Sequence, residues 1–222
     1  MTAQFYAILA LALVWLVLFF MSRETRREML IMSVLMLLAM PGTIWLAGTD
    51  VRSMEVFSGI TITVDMLIFG ALVGGIASVA YHIVFRKRVQ KLKKSERKPI
   101  KPSAAHWLAH ILIILAIWGF ASVFLTFVFN INAAHTLIIG GIMVGLYIIA
   151  DRKDLLMDAL LSAVLMAVII FLVEQIFVIR IFPEISSAAF FGSVPLEEIA
   201  WAAVVGFTFG PLYEYARQLK LS

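Results

Sequence analysis

Residues Leu155 to Ile179 read LLMDALLSAVLMAVIIFLVEQIFVI, an apolar run broken by only two charged residues, Asp158 and Glu174. A hydrocarbon core about 30 Å thick takes about 20 apolar residues to cross as a helix, so this run is long enough to span a bilayer. It is continuous rather than alternating, which excludes the lipid-facing strands of a β-barrel. Six further runs of the same kind flank it: Phe5–Met21, Met29–Ala47, Gly59–Phe85, Trp107–Phe129, Ala133–Ala150 and Val194–Tyr215. The third is long and the fifth short, differences that helix tilt absorbs. Composition agrees, with hydrophobic residues making up 63% of the 222 and charged residues 14%. A soluble domain is closer to half apolar and a quarter charged. The expected fold class is an all-α integral membrane protein with about seven transmembrane helices.

The basic residues orient these helices. Arg23, Arg26 and Arg27 separate the first two runs. A basic segment from Arg86 to Lys101 separates the third from the fourth, Arg152 and Lys153 the fifth from the sixth, and Arg217 and Lys220 follow the seventh. Only Arg52 and Arg180 fall on the other side, so 16 of the 18 Lys and Arg residues share one face. The positive-inside rule makes that face cytoplasmic. The expected location is therefore the cell membrane, multi-pass, with the N-terminus outside and the C-terminus in the cytoplasm. The Arg86–Lys101 segment reads as a topology signal and connector, and its charge also suits anionic headgroups. The net charge of +4 is spent on topology and gives no indication of nucleic acid. Met1 to Ser22 is uncharged and has no basic n-region, so it reads as a retained helix rather than a cleaved signal peptide.

The chain also repeats itself. Arg23-Glu24 with Glu28 matches Lys153-Asp154 with Asp158 at an offset of 130, as do Leu30 with Leu160 and Val34-Leu35-Met36 with Val164-Leu165-Met166. After a two-residue insertion, Asp65 falls on Glu197, Gly74 on Gly206 and Tyr81 on Tyr213. Helices one to three thus resemble helices five to seven, with helix four as connector. Both triplets start on the same side, so the repeats are parallel and related by an axis along the membrane normal. The expected organisation is a first three-helix repeat over 1–86, a basic cytoplasmic linker plus connector helix over 87–132, and a second three-helix repeat over 133–222. Such a bundle would set Asp65 and Glu197 at equal depth, facing each other across the repeat interface.

An ionisable group inside a membrane helix is costly and points to function. Four acids qualify: Asp65, Glu174, Glu197 and Glu198, all toward the outer helix ends. Asp158 and Glu214 lie near the cytoplasmic ends, where water and loop charges are expected to accommodate them. Glu197 and Glu198 also fit a purely structural role, since Pro195 suits a helix start and acids there favour the helix dipole. Two adjacent acids point about 100° apart, however, and both cannot face water unless the site is wet. Two close carboxyl groups in low dielectric cannot both ionise, which leaves a neutral acid able to protonate a weak base such as an alkene. Phe190, Phe191, Trp201, Phe207, Phe209 and Trp45 surround that region in sequence. Aromatic faces stabilise cations, although a membrane-boundary belt accounts for most of them equally well.

Other chemistries find little support. No cysteine is present, which excludes thiolate metal sites and cysteine nucleophiles. His106 and His110 share a helical face. They have no acid on that face and read as interfacial anchors rather than metal ligands. Neither a P-loop nor GxGxxG occurs, so no nucleotide or flavin site of those kinds is expected. Every lysine lies in a loop or terminus, which rules out an intramembrane retinal Schiff base. No cofactor and no metal are expected.

The segment Phe191-Gly192-Ser193-Val194-Pro195-Leu196-Glu197-Glu198-Ile199-Ala200-Trp201, running on to Tyr213-Glu214-Tyr215, resembles the signature of the lycopene cyclase domain family. This is the small membrane-embedded carotenoid cyclase type found as heterodimers or fusions. Its fused members are two copies of a three-helix unit, a layout similar to this chain. In the first repeat the corresponding segment is Thr63-Val64-Asp65-Met66, with one acid and no proline, and a Trp-Asp-like element is loosely echoed by Trp45 and Asp50. The resemblance implies an isomerase-type, redox-neutral ring closure on a linear carotenoid or other long isoprenoid dissolved in membrane lipid, with no cofactor. It implies Glu197 or Glu198 as the acid and Asp65 or Glu174 as second carboxylate or proton acceptor. Gln175 would orient one of them, and Trp45, Phe191 and Trp201 would contact substrate.

Two rival readings come from other classes. A non-enzymatic lipid- or carotenoid-binding protein, or a proton-coupled transporter, would share the fold. An intramembrane protease would need histidines beside its acids. His82, His106 and His110 are expected at the cytoplasmic end, away from Asp65, Glu174, Glu197 and Glu198, and only His135 near the outer face.

Overall fold

The computed structural model describes residues 3–47, 64–85, 89–91, 104–177, 190–191 and 194–221. Among them are seven α-helices: α1 (Ala3–Met21), α2 (Arg26–Ala47), α3 (Val64–Val84), α4 (Ala104–Phe129), α5 (Ala133–Asp151), α6 (Leu156–Phe177) and α7 (Leu196–Arg217). A helix satisfies its own backbone hydrogen bonds, as a lipid-embedded segment must. Among the described residues, five helical stretches are long and apolar enough to cross a membrane: Arg26–Leu46, Val64–Val84, His106–Phe129, Ala133–Asp151 and Lys153–Phe177. The apolar stretch Phe5–Met21 of α1 is shorter, and α7, which carries Glu197, Glu198 and Glu214, is not among the five. Large apolar side chains such as Val17 and Phe20 of α1, Ile113 and Phe120 of α4, and Leu172 and Ile176 of α6 are exposed. An outward surface of this kind suits lipid.

Helix boundaries follow local chemistry. Asn132 caps α5 by accepting a hydrogen bond from the Ala134 amide at 2.8 Å. Gln218, at φ 53°, ends α7 with its amide directed to the Glu214 and Tyr215 carbonyls. Pro195 stands at the N-cap of α7, where no backbone donor is needed. The Pro41-Gly42 pair, a kink by sequence, lies inside α2, which continues to Ala47. The expected third span began at Gly59; α3 is described from Val64, and residues 59–63 lie outside the described residues.

α3 packs along α2 and against α1, α7 packs along α6 and against α5, and α3 touches both α6 and α7. α4 leans on α5 and α7 and is buried over little of its length, whereas α3 is buried over most of it. Polar groups bind α4 to α5: Trp118 Nε1 donates to the Leu137 carbonyl at 2.9 Å, and the Thr126 and Thr136 hydroxyls are 2.8 Å apart. Two short antiparallel pairs complete the fold. β1 (Val89–Lys91) pairs with β4 (Leu219–Leu221), and β2 (Phe190–Phe191) with β3 (Val194–Pro195) just before α7.

Helix limits set by described residues keep the sequence offset: α5 ends 130 residues after α1, at Asp151 and Met21, and α6 begins 130 after α2, at Leu156 and Arg26. Close helix approach recurs with them. A Cβ on Gly74 would meet the Met36 side chain and the Met32 carbonyl, and one on Gly206 would meet the Ser162 carbonyl and Ala163 Cα. Met32 and Ser162 are again 130 apart. Only a glycine lets these helix backbones come so near.

Candidate functional site

Two buried groups of ionisable residues lie at opposite ends of α6 and α7. Asp158 and Glu174 are sixteen residues apart on α6, as are Glu198 and Glu214 on α7. At a rise of 1.5 Å per residue this is about 24 Å. Because α6 and α7 run antiparallel, Glu174 meets Glu198 at one end, and Asp158 and Glu214 converge at the other.

At the first end the Glu174 and Glu198 carboxyl groups face each other across the helix seam and are both buried. Neither oxygen of Glu174 has a hydrogen bond of normal geometry among the described residues. Trp201 lies three residues beyond Glu198 on the same helical face, fully buried, with its ring stacked on Phe69 of α3 at 6.3 Å. The result is a carboxyl pair beside stacked aromatic faces, in apolar surroundings.

The other residues singled out in the sequence lie around this pair in different ways. Glu197 is half-buried, one position before Glu198. Asp65 is exposed in the first turn of α3 and stays outside the pair. One turn further in from Asp65 and Glu197, the offset-related Phe69 and Trp201 stack on each other. The 132-residue offset places Met66, not an acid, opposite Glu198, and the 130-residue offset places Ile44 opposite Glu174. Only the second half carries both carboxyls. Gln175 is exposed. Phe191 is exposed and packs on Phe171 of α6, one turn before Glu174, with ring centroids 5.3 Å apart. Trp45 is half-buried and stacks on Phe127 of α4 at 6.2 Å. Asp50, Gly192 and Ser193 lie outside the described residues.

At the opposite end four helices converge on His82. Its Nδ1 is 3.8 Å from Glu28 Oε2 of α2, and its Nε2 is 3.6 Å from Asp158 Oδ2 of α6 and 3.5 Å from Glu214 Oε1 of α7. All four side chains are buried. Ser162 Oγ donates to Asp158 Oδ1 at 3.2 Å. This corrects the expectation that loop water accommodates Asp158 and Glu214: the packing of α2, α3, α6 and α7 closes over them. His82 lies away from Glu174 and Glu198, and Glu28, Asp158 and Glu214 surround it. His106 and His135 are exposed, and the His110 ring lies 5.3 Å from that of Tyr215. A signal for the quartet was available in sequence. Glu28 and Asp158 were already matched, and one step past Tyr81 and Tyr213 the offset pairs His82 with Glu214.

Close by, the Arg217 guanidinium donates to the Tyr213 hydroxyl and lies over the Trp107 ring at 5.7 Å. Arg152 donates to the Leu219 carbonyl at 2.7 Å, tying the start of α6 to the strand after α7.

No protein-family model matches the chain, and neither a curated protein nor a solved structure is significantly similar to it.

Proposed function

We propose that this chain is a membrane-embedded cyclase that closes a ring on the end group of a lycopene-type linear carotenoid or similar long isoprenoid. The observation that carries the reading is the buried Glu174–Glu198 pair beside the Trp201–Phe69 stack. Two carboxyl groups this close, away from water, hold one proton between them. One member donates it to the terminal alkene of the substrate. The resulting tertiary cation is attacked by a neighbouring double bond, forming the ring carbon–carbon bond. The other carboxylate then removes a proton from the ring and sets its double bond. One proton enters the substrate and one leaves, so no oxidant, reductant or cofactor is consumed. The Trp201 and Phe69 faces favour the cation, and the apolar setting keeps water from quenching it. Phe191, at the level of Glu174, lies along the approach from lipid. Glu197 and Asp65 belong to the outer rim, and Gln175 and Trp45 to the flanks of the bundle.

The same proposal gives the chain seven crossings, arranged as two parallel three-helix repeats joined by α4, with the N-terminus outside and the C-terminus in the cytoplasm. The 130-residue offsets of the α1 and α5 ends and of the α2 and α6 starts, and the 132-residue offset of Gly74 and Gly206, support the repeat. Contacts between offset-related residues support it too: Phe69 with Trp201, His82 with Glu214, and Val89 with Leu221. The bias of 16 of 18 basic residues supports the orientation.

The test is expression in cells that accumulate lycopene, without added flavin or nicotinamide. A product of unchanged mass, blue-shifted absorption and earlier reversed-phase elution is expected. Unaltered lycopene alongside well-inserted protein would refute the cyclase reading. Proton-coupled transport would then take its place, because α6 and α7 each carry a buried acid toward both ends.

A further inference from the structure

The quartet around His82 takes no part in the proposed cyclisation, which uses carboxyls about 24 Å away along α6 and α7. It nevertheless gathers three carboxyl groups and an imidazole in the interior. Glu28 Oε1, both His82 nitrogens, Asp158 Oδ2 and both Glu214 oxygens have no hydrogen-bond partner among the described residues. Buried polar atoms are normally hydrogen-bonded, and buried charges are normally paired or bound to a metal. The separations of 3.5, 3.6 and 3.8 Å around His82 are too long for hydrogen bonds. The two at Nε2, 3.6 Å to Asp158 and 3.5 Å to Glu214, do suit ligands sharing one ion, since metal–ligand bonds of about 2.0–2.2 Å in tetrahedral geometry place neighbouring donor atoms roughly 3.5 Å apart. One donor atom each from Glu28, His82 and Glu214 lies within 4.8 Å of the other two. The Arg217 guanidinium acts on Glu28 through its charge, while its direct contacts are with Tyr213 and Trp107.

We infer that Glu28, His82 and Glu214, with Asp158 as a fourth ligand, bind a divalent transition-metal ion that ties α2, α3, α6 and α7 together. An imidazole among carboxylates fits manganese, iron or zinc. An all-oxygen cage would suit calcium or magnesium, and soft sulfur ligands copper(I). Two positive charges offset most of the carboxylate charge in a site shielded from water. Ser162 acts as an outer-shell residue: by holding Asp158 Oδ1 it turns Oδ2 toward the ion. Each half of the chain contributes two ligands, so the ion would join the halves where α3 and α7 meet.

The experiment uses the full chain in detergent micelles, stripped with chelator and titrated with Mn2+ or Zn2+. Elemental analysis after desalting should find one Zn2+ per chain, and pulsed electron paramagnetic resonance of the Mn2+ form should show nitrogen modulation from one imidazole. His82→Gln should abolish that modulation, and Ser162→Ala should weaken Mn2+ binding about 10–100-fold. A His106→Gln/His110→Gln double variant should leave both readouts unchanged, as should Glu198→Gln, which separates this site from the proposed cyclase. Folded wild-type protein that retains no ion above the buffer blank would overturn the inference. So would nitrogen modulation that survives His82→Gln in a variant with native helical circular dichroism.

Discussion

His82 Nε2 stands 3.5 Å from Glu214 Oε1, and the two residues are 132 positions apart, the offset that also relates Gly74 to Gly206. Phe69 and Trp201 share that offset and stack on each other, and so do Val89 and Leu221, which pair across β1 and β4. A residue touches its own counterpart only near a two-fold axis. Three such contacts along the α3–α7 seam are what the proposed repeat requires. The seam has an aromatic pair in one layer, an ionisable pair in another and a strand pair beyond the helix ends.

Exchange of the two partners tests that symmetry. His82→Glu alone gathers four carboxyl groups in one buried site, and breaking a buried charge arrangement costs about 3–5 kcal/mol. Combining it with Glu214→His restores one imidazole among three acids at the equivalent position. The double variant should therefore recover most of the thermal stability that the single variant loses, measured by unfolding in detergent. A double variant no more stable than His82→Glu would contradict the equivalence.

The glycine contacts make a second, independent prediction. A Cβ on Gly206 meets α6 backbone atoms at Ser162 and Ala163, which cannot move aside as a side chain can. Gly206→Ala should cost about 1–3 kcal/mol, the usual range for overpacking. Gly119 has nothing within 4 Å of its Cβ position, so Gly119→Ala in α4 should be neutral or stabilising by up to about 1 kcal/mol. Equal melting temperatures for the two variants would show that α6 and α7 do not approach as described.

Much of this architecture was legible in the sequence because apolar run length and basic flanks report directly on where a helix can cross lipid. Residues 133–150, read as a short span, became α5 over Ala133–Asp151. The acid pair was legible as residues but not as a pair. Glu174 and Glu198 were both suspected as intramembrane acids, yet only the antiparallel packing of α6 on α7 brings them together and leaves Asp65 exposed. The quartet was misread for a physical reason. An acid near a helix end looks the same in sequence whether loop water or three neighbouring helices cover it, and here helices cover Asp158 and Glu214. Trp45 and Phe191 were singled out as aromatic residues near acids, but aromatic character does not say which neighbour a ring will choose. They chose Phe127 and Phe171.

The proposed orientation rests on charge. With 16 of 18 Lys and Arg assigned to the cytoplasmic side, a reporter fused after Ser222 should be cytoplasmic and one placed before Met1 external. Both reporters on one side would require an even number of crossings and would remove the parallel repeat.

The last prediction ranks the acids of the proposed cyclase. Glu174 and Glu198 are buried against each other, Glu197 is half-buried, and Asp65 is exposed. Proton donation needs a carboxyl shielded from water, and of these four only Glu174 and Glu198 are buried. Loss of a general acid or base removes about 10²–10⁴ of rate. In lycopene-accumulating cells, Glu174→Gln and Glu198→Gln should each reduce ring formation at least about 100-fold. Asp65→Asn should stay within a few-fold of the unaltered chain, because an exposed carboxyl has water to replace it. The double variant should fall little below either single one, since two groups that share one proton act as a unit. Immunoblotting of the membrane fraction keeps lost activity distinct from lost insertion. If Asp65→Asn is inactive while Glu174→Gln is not, the acid lies at the rim of α3, and the Glu174–Glu198 pair has some other role.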